Sequence, residues 1–249
     1  MIRAAGGRRL MLPAAAVAAV LLVAGLAFAL TGRSPASRSP AATAPASPAG
    51  AAGPGRLVEP QVPRVSLASV RWSGFYGVEL PVSAQSGPYD TSGGMAAGFA
   101  HSPLGALLAA VNIGVRANAQ WGPRIFGAVI RGQITGPDAA ALLAGCQAAY
   151  DQAAQSGQVT GGQPLGTVDV TEQAFRWVAY TPAAAILDLV SAGPGSNGAT
   201  VRASVQMEVV WDGGTWKVVA PPGGDWGNSA AGLSSLAGYT VFPGQGGGR

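Results

Sequence analysis

Val201–Val219 reads VRASVQMEVVWDGGTWKVV, and its period decides the fold. Val201, Ala203, Val205, Met207, Val209 and Trp211 alternate with Arg202, Ser204, Gln206 and Glu208, a period of two along a long strand. Such clean alternation puts one face on a core and leaves the other wet, the habit of antiparallel sheets. Asp212-Gly213-Gly214 supplies residues that accept positive φ, so a tight turn follows and Thr215–Ala220 returns as the partner strand.

Upstream, Phe175, Trp177 and Ala179 alternate with Arg176, Val178 and Tyr180 as a further strand. Ile186–Val190 is another candidate, although AAAILDLV alone also suits a helix. Helices come earlier. Ser102 can cap a helix and Pro103 suits its first position. Leu104, Leu107, Leu108, Val111 and Val115 then fall on one face, with Gly105, Ala106, Ala109 and Ala110 between them, small enough for close packing on a sheet. Thr135-Gly136-Pro137-Asp138 opens a second helix that runs to about Ala154 and stops at Gly157. Ile125–Ile134 is apolar and unassigned. Ser66–Ser83 is extended in character and ended by Pro81, and a Gly/Ser-rich loop occupies residues 84–98. From Pro221 the tail is Gly-rich, with Leu233, Leu236, Tyr239, Val241 and Phe242 available to pack on the body. The pattern predicts an α+β domain over residues 64–243, a curved antiparallel sheet wrapped on helices, with a disordered tail at 244–249.

The N-terminal quarter obeys a different logic. Met11–Leu30 contains no charged, Asn or Gln side chain, and twenty helical residues span roughly 30 Å, the thickness of a bilayer's hydrocarbon core. Its nine Leu, Val and Phe residues favour insertion by at most ~3–5 kcal/mol. Arg3, Arg8 and Arg9 precede the span more closely than Arg33 and Arg38 follow it. The positive-inside rule therefore puts residues 1–10 in the cytoplasm and the remainder outside. A cleaved signal peptide is the rival reading, through Ala27-Phe28-Ala29, but the apolar run exceeds the usual length of a signal core. Residues 31–63 are rich in Pro, Ala and Ser and lack apolar periodicity, as a disordered linker would be.

Charge sorts the same way. Residues 1–63 carry six Arg and one acid, net +5, whereas residues 64–249 carry nine Lys/Arg and ten acids, net −1. The basicity belongs to the membrane flanks, which argues against direct nucleic-acid binding by the domain. The single cysteine, Cys146, excludes an intramolecular disulfide and shares a helical stripe with Leu142, Leu143 and Tyr150, where it reads as a small buried hydrophobe.

Few residues carry catalytic promise. Gly193-Pro194-Gly195-Ser196-Asn197-Gly198 matches G-x-G-x-x-G literally, but Pro194 removes an N–H and a strand follows where a phosphate cradle needs a helix. It reads as a turn. His101, the only histidine, lies just before a helix start; alone, it reads as a residue that fixes the chain's approach to the helix. Asp188, Tyr180 and Glu208 are the ionisable groups on the expected strands that could serve as an acid or base, with Glu208 on the wet face. Neither a metal nor a cofactor is expected.

Val205–Val219 resembles the last two strands of nuclear-transport-factor-2-like domains. Trp72, Leu80-Pro81-Val82-Ser83 with Gly87-Pro88, and above all Gly98–Asn112 (GFAHSPLGALLAAVN) resemble an actinobacterial membrane-protein family found with integrative and conjugative elements. The layout of anchor, linker and extracytoplasmic domain is similar to that of the bitopic assembly proteins of type IV secretion channels. The resemblance implies a nuclear-transport-factor-2-like fold and a non-catalytic scaffold of a DNA-transfer apparatus. Such a scaffold is held in the membrane by residues 11–30, contacts protein partners and forms a homo-oligomer. The alternatives are a ligand-binding or isomerase/dehydratase-like module that uses the cone as its cavity, and an envelope accessory protein. An open interior with convergent polar groups would favour the module; a filled one favours the scaffold.

Overall fold

The computed structural model describes residues 62–156, 159, 161–195 and 199–244. The span expected at 11–30 and the linker as far as residue 61 lie outside them. Among the described residues, no helix is long and apolar enough to cross a membrane.

The domain is α+β, built on one curled sheet. Strands β1 (Val70–Phe75) and β2 (Val78–Ser83) precede helices α1 (Pro103–Arg116) and α2 (Pro123–Gln133). The short strand β3 (Ile134–Thr135) and helix α3 (Ala139–Gln155) follow. Then come β4 (Thr171–Tyr180), β5 (Ala184–Pro194), β6 (Thr200–Asp212), β7 (Thr215–Val219), β8 (Ala230–Leu233) and β9 (Thr240–Val241). Strand order is β1-β2-β4-β5-β6-β7-β3, with β8 beside β6 and β9 beside β4.

The hairpin that decides the fold forms as its sequence dictates. Trp211 faces Trp216 and Asp212 faces Thr215 across the turn, where Gly213 and Gly214 take φ of 60° and 80°. Ala203, Val205, Met207 and Val209 are buried, whereas Gln206 and Glu208 are exposed. Ser204, expected on the wet face, is buried where β8 runs alongside β6.

Three departures from the sequence pattern matter. First, Ser66–Ser83 is a hairpin: Tyr76 and Gly77 turn the chain with φ of 48° and 93°, and the strand runs on through Pro81. Pro81 faces Trp72, and its carbonyl accepts from Asn112 Nδ2 at 2.8 Å, so it sits where the ladder with β1 asks for no N–H. Secondly, Ile125–Ile134 is mostly helix, with Pro123 at its first position and Ile125, Phe126, Val129 and Ile130 on its buried side. Its last residue opens β3, which joins β7. Thirdly, the sheet is mixed. β2–β4 and β3–β7 are parallel joins between strands that are not consecutive in the chain: helices lie between β2 and β4, and α3 with strands β4 to β6 lies between β3 and β7.

α1 lies in the concavity, against β2, β5, β6 and β7 on one side and α2 on another. Ser102 Oγ caps it by accepting from Gly105 N at 3.1 Å. Every residue from Gly105 to Arg116 is buried, so the helix has no wet face. A Cβ at Gly105 would fall 1.9 Å from the Ala100 carbonyl oxygen, which itself accepts from Trp216 Nε1 at 2.9 Å. α3 is an outer layer and buries only the stripe Leu142, Cys146, Tyr150 and Ala153. The tail packs through Phe242, which contacts Trp72 and Phe175, while Trp72 Nε1 donates to the Pro243 carbonyl at 3.0 Å. Val241 stays exposed.

Candidate functional site

The inner face of the sheet changes character along its length. Register places Trp177, Leu187 and Met207 in one row and Phe175, Leu189 and Val205 in the next, all core residues. The following row is Glu172, Ser191 and Ala203. A bulge between Glu172 and Ala174 inserts Gln173, so two neighbouring residues of β4 line the same cleft instead of pointing to opposite faces.

Glu172 is 1% exposed and accepts from Ser191 Oγ at 2.8 Å. Burial pushes its carboxyl up from 4.5 to about 8, against the lowering effect of the Ser191 hydroxyl. The next residue, Gln173, accepts at Oε1 from Arg202 Nε at 2.7 Å, and its carbonyl accepts from Phe242 N at 3.0 Å. Glu172, Gln173 and Arg202 border a cleft of about 280 Å³ whose other walls are Leu236, Val241, Phe242 and Gly244. A carboxyl held neutral near pH 7 on the inner face of the sheet is its strongest chemical feature.

The residues singled out by sequence are scattered. Asp188 is 6% exposed and pairs with Arg176 at 2.5 Å, with Gln206 Nε2 donating to its other oxygen at 3.3 Å. It lies on the sheet face opposite Leu187 and Leu189, so it does not enter the concavity. Glu208 is exposed on that same outer face. Tyr180 packs edge-on against Trp177 at 5.7 Å, and burial raises its phenol above the ordinary value. The sheet separates it from both acids.

His101 is exposed, but its ring stacks on Trp211 with centroids 4.0 Å apart and 8° between planes. Its Nε2 lies 2.6 Å from the Pro182 carbonyl oxygen. These contacts tie the residue before the Ser102 cap to the β4–β5 turn and to the β6–β7 hairpin. Cys146 is 7% exposed, its thiol is 3.8 Å from the Ala117 carbonyl, and burial pushes it up to about 11. Gly193 and Pro194 end β5, and Thr200 begins β6. The glycine-rich stretch thus joins strand to strand, with Gly195 N donating to the Ala199 carbonyl at 2.7 Å. Among the described residues, no three His, Cys, Asp or Glu side chains gather as a metal site.

Sequence reasoning missed two ionisable groups. Glu172 looks like an ordinary polar residue at a strand start, and nothing local announces the bulge that turns it inward. Arg116 looks like a favourable basic residue in the last turn of a helix. In the fold it is 4% exposed: its Nη1 donates to the Asn112 carbonyl (3.0 Å) and Oδ1 (2.8 Å), and its guanidinium lies 4.2 Å from the centre of the Phe75 ring.

A family model described as a domain of unknown function, DUF8175, matches residues 33–241. The chain belongs to the DUF8175 family. The DUF8175 match takes in both hairpins, the three helices and the polar row of the sheet, and reaches N-terminally into the Pro-rich segment. No curated protein and no solved structure matches the chain.

Proposed function

We propose that this chain is a membrane-tethered, non-catalytic scaffold whose extracytoplasmic domain acts by protein–protein contact within a conjugative, type IV secretion-like DNA-transfer apparatus. The observation that supports a scaffold is the filling of the sheet's concavity. Gly105–Arg116 of α1 is buried throughout, where an enzyme or carrier on a coned sheet would keep its cavity. The proposal assigns the fold to the nuclear-transport-factor-2-like class, in keeping with a curled sheet closed over a central helix. Residues 11–30 anchor it, the linker gives it reach, and copies of the chain associate with one another.

The decisive experiment is crosslinking in intact membranes from a photo-reactive residue at Tyr89 or Val178, both exposed. Recovery of adducts with other transfer components, and of a doubled chain, is the expected result. A protein that fractionates with the cytosol, or that yields neither class of adduct at any exposed position, would defeat the reading.

A further inference from the structure

The cleft at the polar end of the sheet holds a guanidinium that no carboxylate among the described residues neutralises. Arg202 uses Nε for Gln173. Among the described residues its two Nη amines have no hydrogen-bond partner, and no carboxylate lies within 4.0 Å. The opposite walls, Leu236, Val241 and Phe242, are apolar, and Val241 is 56% exposed although it is a valine in a strand. A guanidinium in a cleft with apolar walls is matched by an anion with an apolar body.

We propose that this cleft binds a small organic carboxylate, its oxygens on the Nη amines of Arg202 and its hydrocarbon against Leu236, Val241 and Phe242. A carboxylate fits a single guanidinium in a planar, two-bond pairing, whereas a phosphate, with more charge and a larger hydration shell, meets no second cation among the described residues that line the cleft. The volume of about 280 Å³ lies at the lower end of ligand sites, which limits the guest to about ten heavy atoms. Burial keeps Glu172 protonated to about pH 8, so it sets no negative charge against the guest. The bulge at Gln173 is the device that makes the site, since it positions the amide that orients Arg202. The inference does not depend on the scaffold reading, because the cleft is separate from the concavity that α1 fills.

The test is calorimetric titration of the full-length protein in lipid nanodiscs at pH 7, with empty nanodiscs as the blank and hexanoate, hexan-1-ol and inorganic phosphate as probes. Hexanoate is expected to bind at least tenfold more tightly than hexan-1-ol, with no heat from phosphate. Arg202→Met, which keeps the stem and removes the fork, is expected to weaken hexanoate at least tenfold without moving the melting temperature. Val241→Asp, at the exposed rim, is expected to weaken it several-fold with the same unchanged melting. No hexanoate binding, equal binding of the alcohol or of phosphate, or undiminished binding by Arg202→Met would each overturn the proposal.

Discussion

Arg116 and Glu172 are both almost wholly buried, one in the central helix and one on the sheet, yet burial leaves them in opposite charge states. Desolvation lowers the Arg116 guanidinium to about 10, which is still far above neutral pH, so it remains a cation. Its Nη1 donates to the Asn112 carbonyl and amide oxygens and the guanidinium lies over the face of Phe75, while its Nε is buried without a hydrogen-bond partner; among the described residues no carboxylate lies within 4.0 Å. Desolvation of similar origin moves Glu172 from 4.5 to about 8, across neutrality, and the carboxyl keeps its proton. The lesson concerns starting points. A guanidinium begins so far from the working pH that the same physical penalty cannot discharge it, whereas a carboxyl needs only a few units.

The largest effect expected from breaking this contrast is at Arg116. Arg116→Ala empties the space beside Phe75 and strips Asn112 of its donor, and should cost about 3 kcal/mol in denaturant unfolding. Arg116→Met keeps most of the volume and removes the buried charge, and should stay within about 1 kcal/mol of the parent. Equal losses for the two variants would show that the charge, not the volume, is what the fold needs there.

The pH profile sharpens the other half. Folded Glu172 holds its proton more tightly than the unfolded chain does, so its contribution is full below about pH 4.5 and is lost as pH rises to about 8, beyond which the loss is complete. The ceiling on that loss is about 5 kcal/mol, and relaxation around the ionised group reduces it. Arg116 stays charged in both states over this window and adds no slope. Glu172→Gln should therefore flatten the stability profile between pH 5 and 9 while leaving stability at pH 4.5 near the parent's; an unchanged slope would remove Glu172 as its source.

The smallest effect is at Ser191, whose hydroxyl favours the ionised carboxyl. Ser191→Ala should shift the Glu172 midpoint further upward and cost about 1 kcal/mol above it, read from the same pH series. A downward shift would mean that the hydroxyl donates chiefly to the neutral acid.

Much of the fold was legible because it rests on local chemistry. The Asp212-Gly213-Gly214 turn, the Ser102-Pro103 start of α1 and the stripe containing Cys146 each follow from residues within a turn or two of one another. The Tyr76-Gly77 turn was not legible, since Tyr at positive φ is tolerated only where tertiary contacts hold it, here the stacking on Trp121. The α2 segment was not legible: its apolar run is short enough to suit a strand as well, and Pro123 stands as its first residue only in the fold.

The candidate site was the least legible part. Asp188 was visible as an acid between leucines, but its face was decided by register with Arg176 and Gln206, and that face turned out to be the outer one. The sequence by itself determined the alternation of period, the helix caps, the separation of a basic apolar N-terminus from a nearly neutral body, and hence an α+β domain. The tertiary structure alone decided that α1 is buried all round, that a bulge turns Glu172 inward and brings Gln173 to Arg202, and that Arg116 lies on Phe75. Turns and periodicity are short-range energies written in neighbouring residues, whereas burial and pKa depend on what distant segments exclude water from a given point.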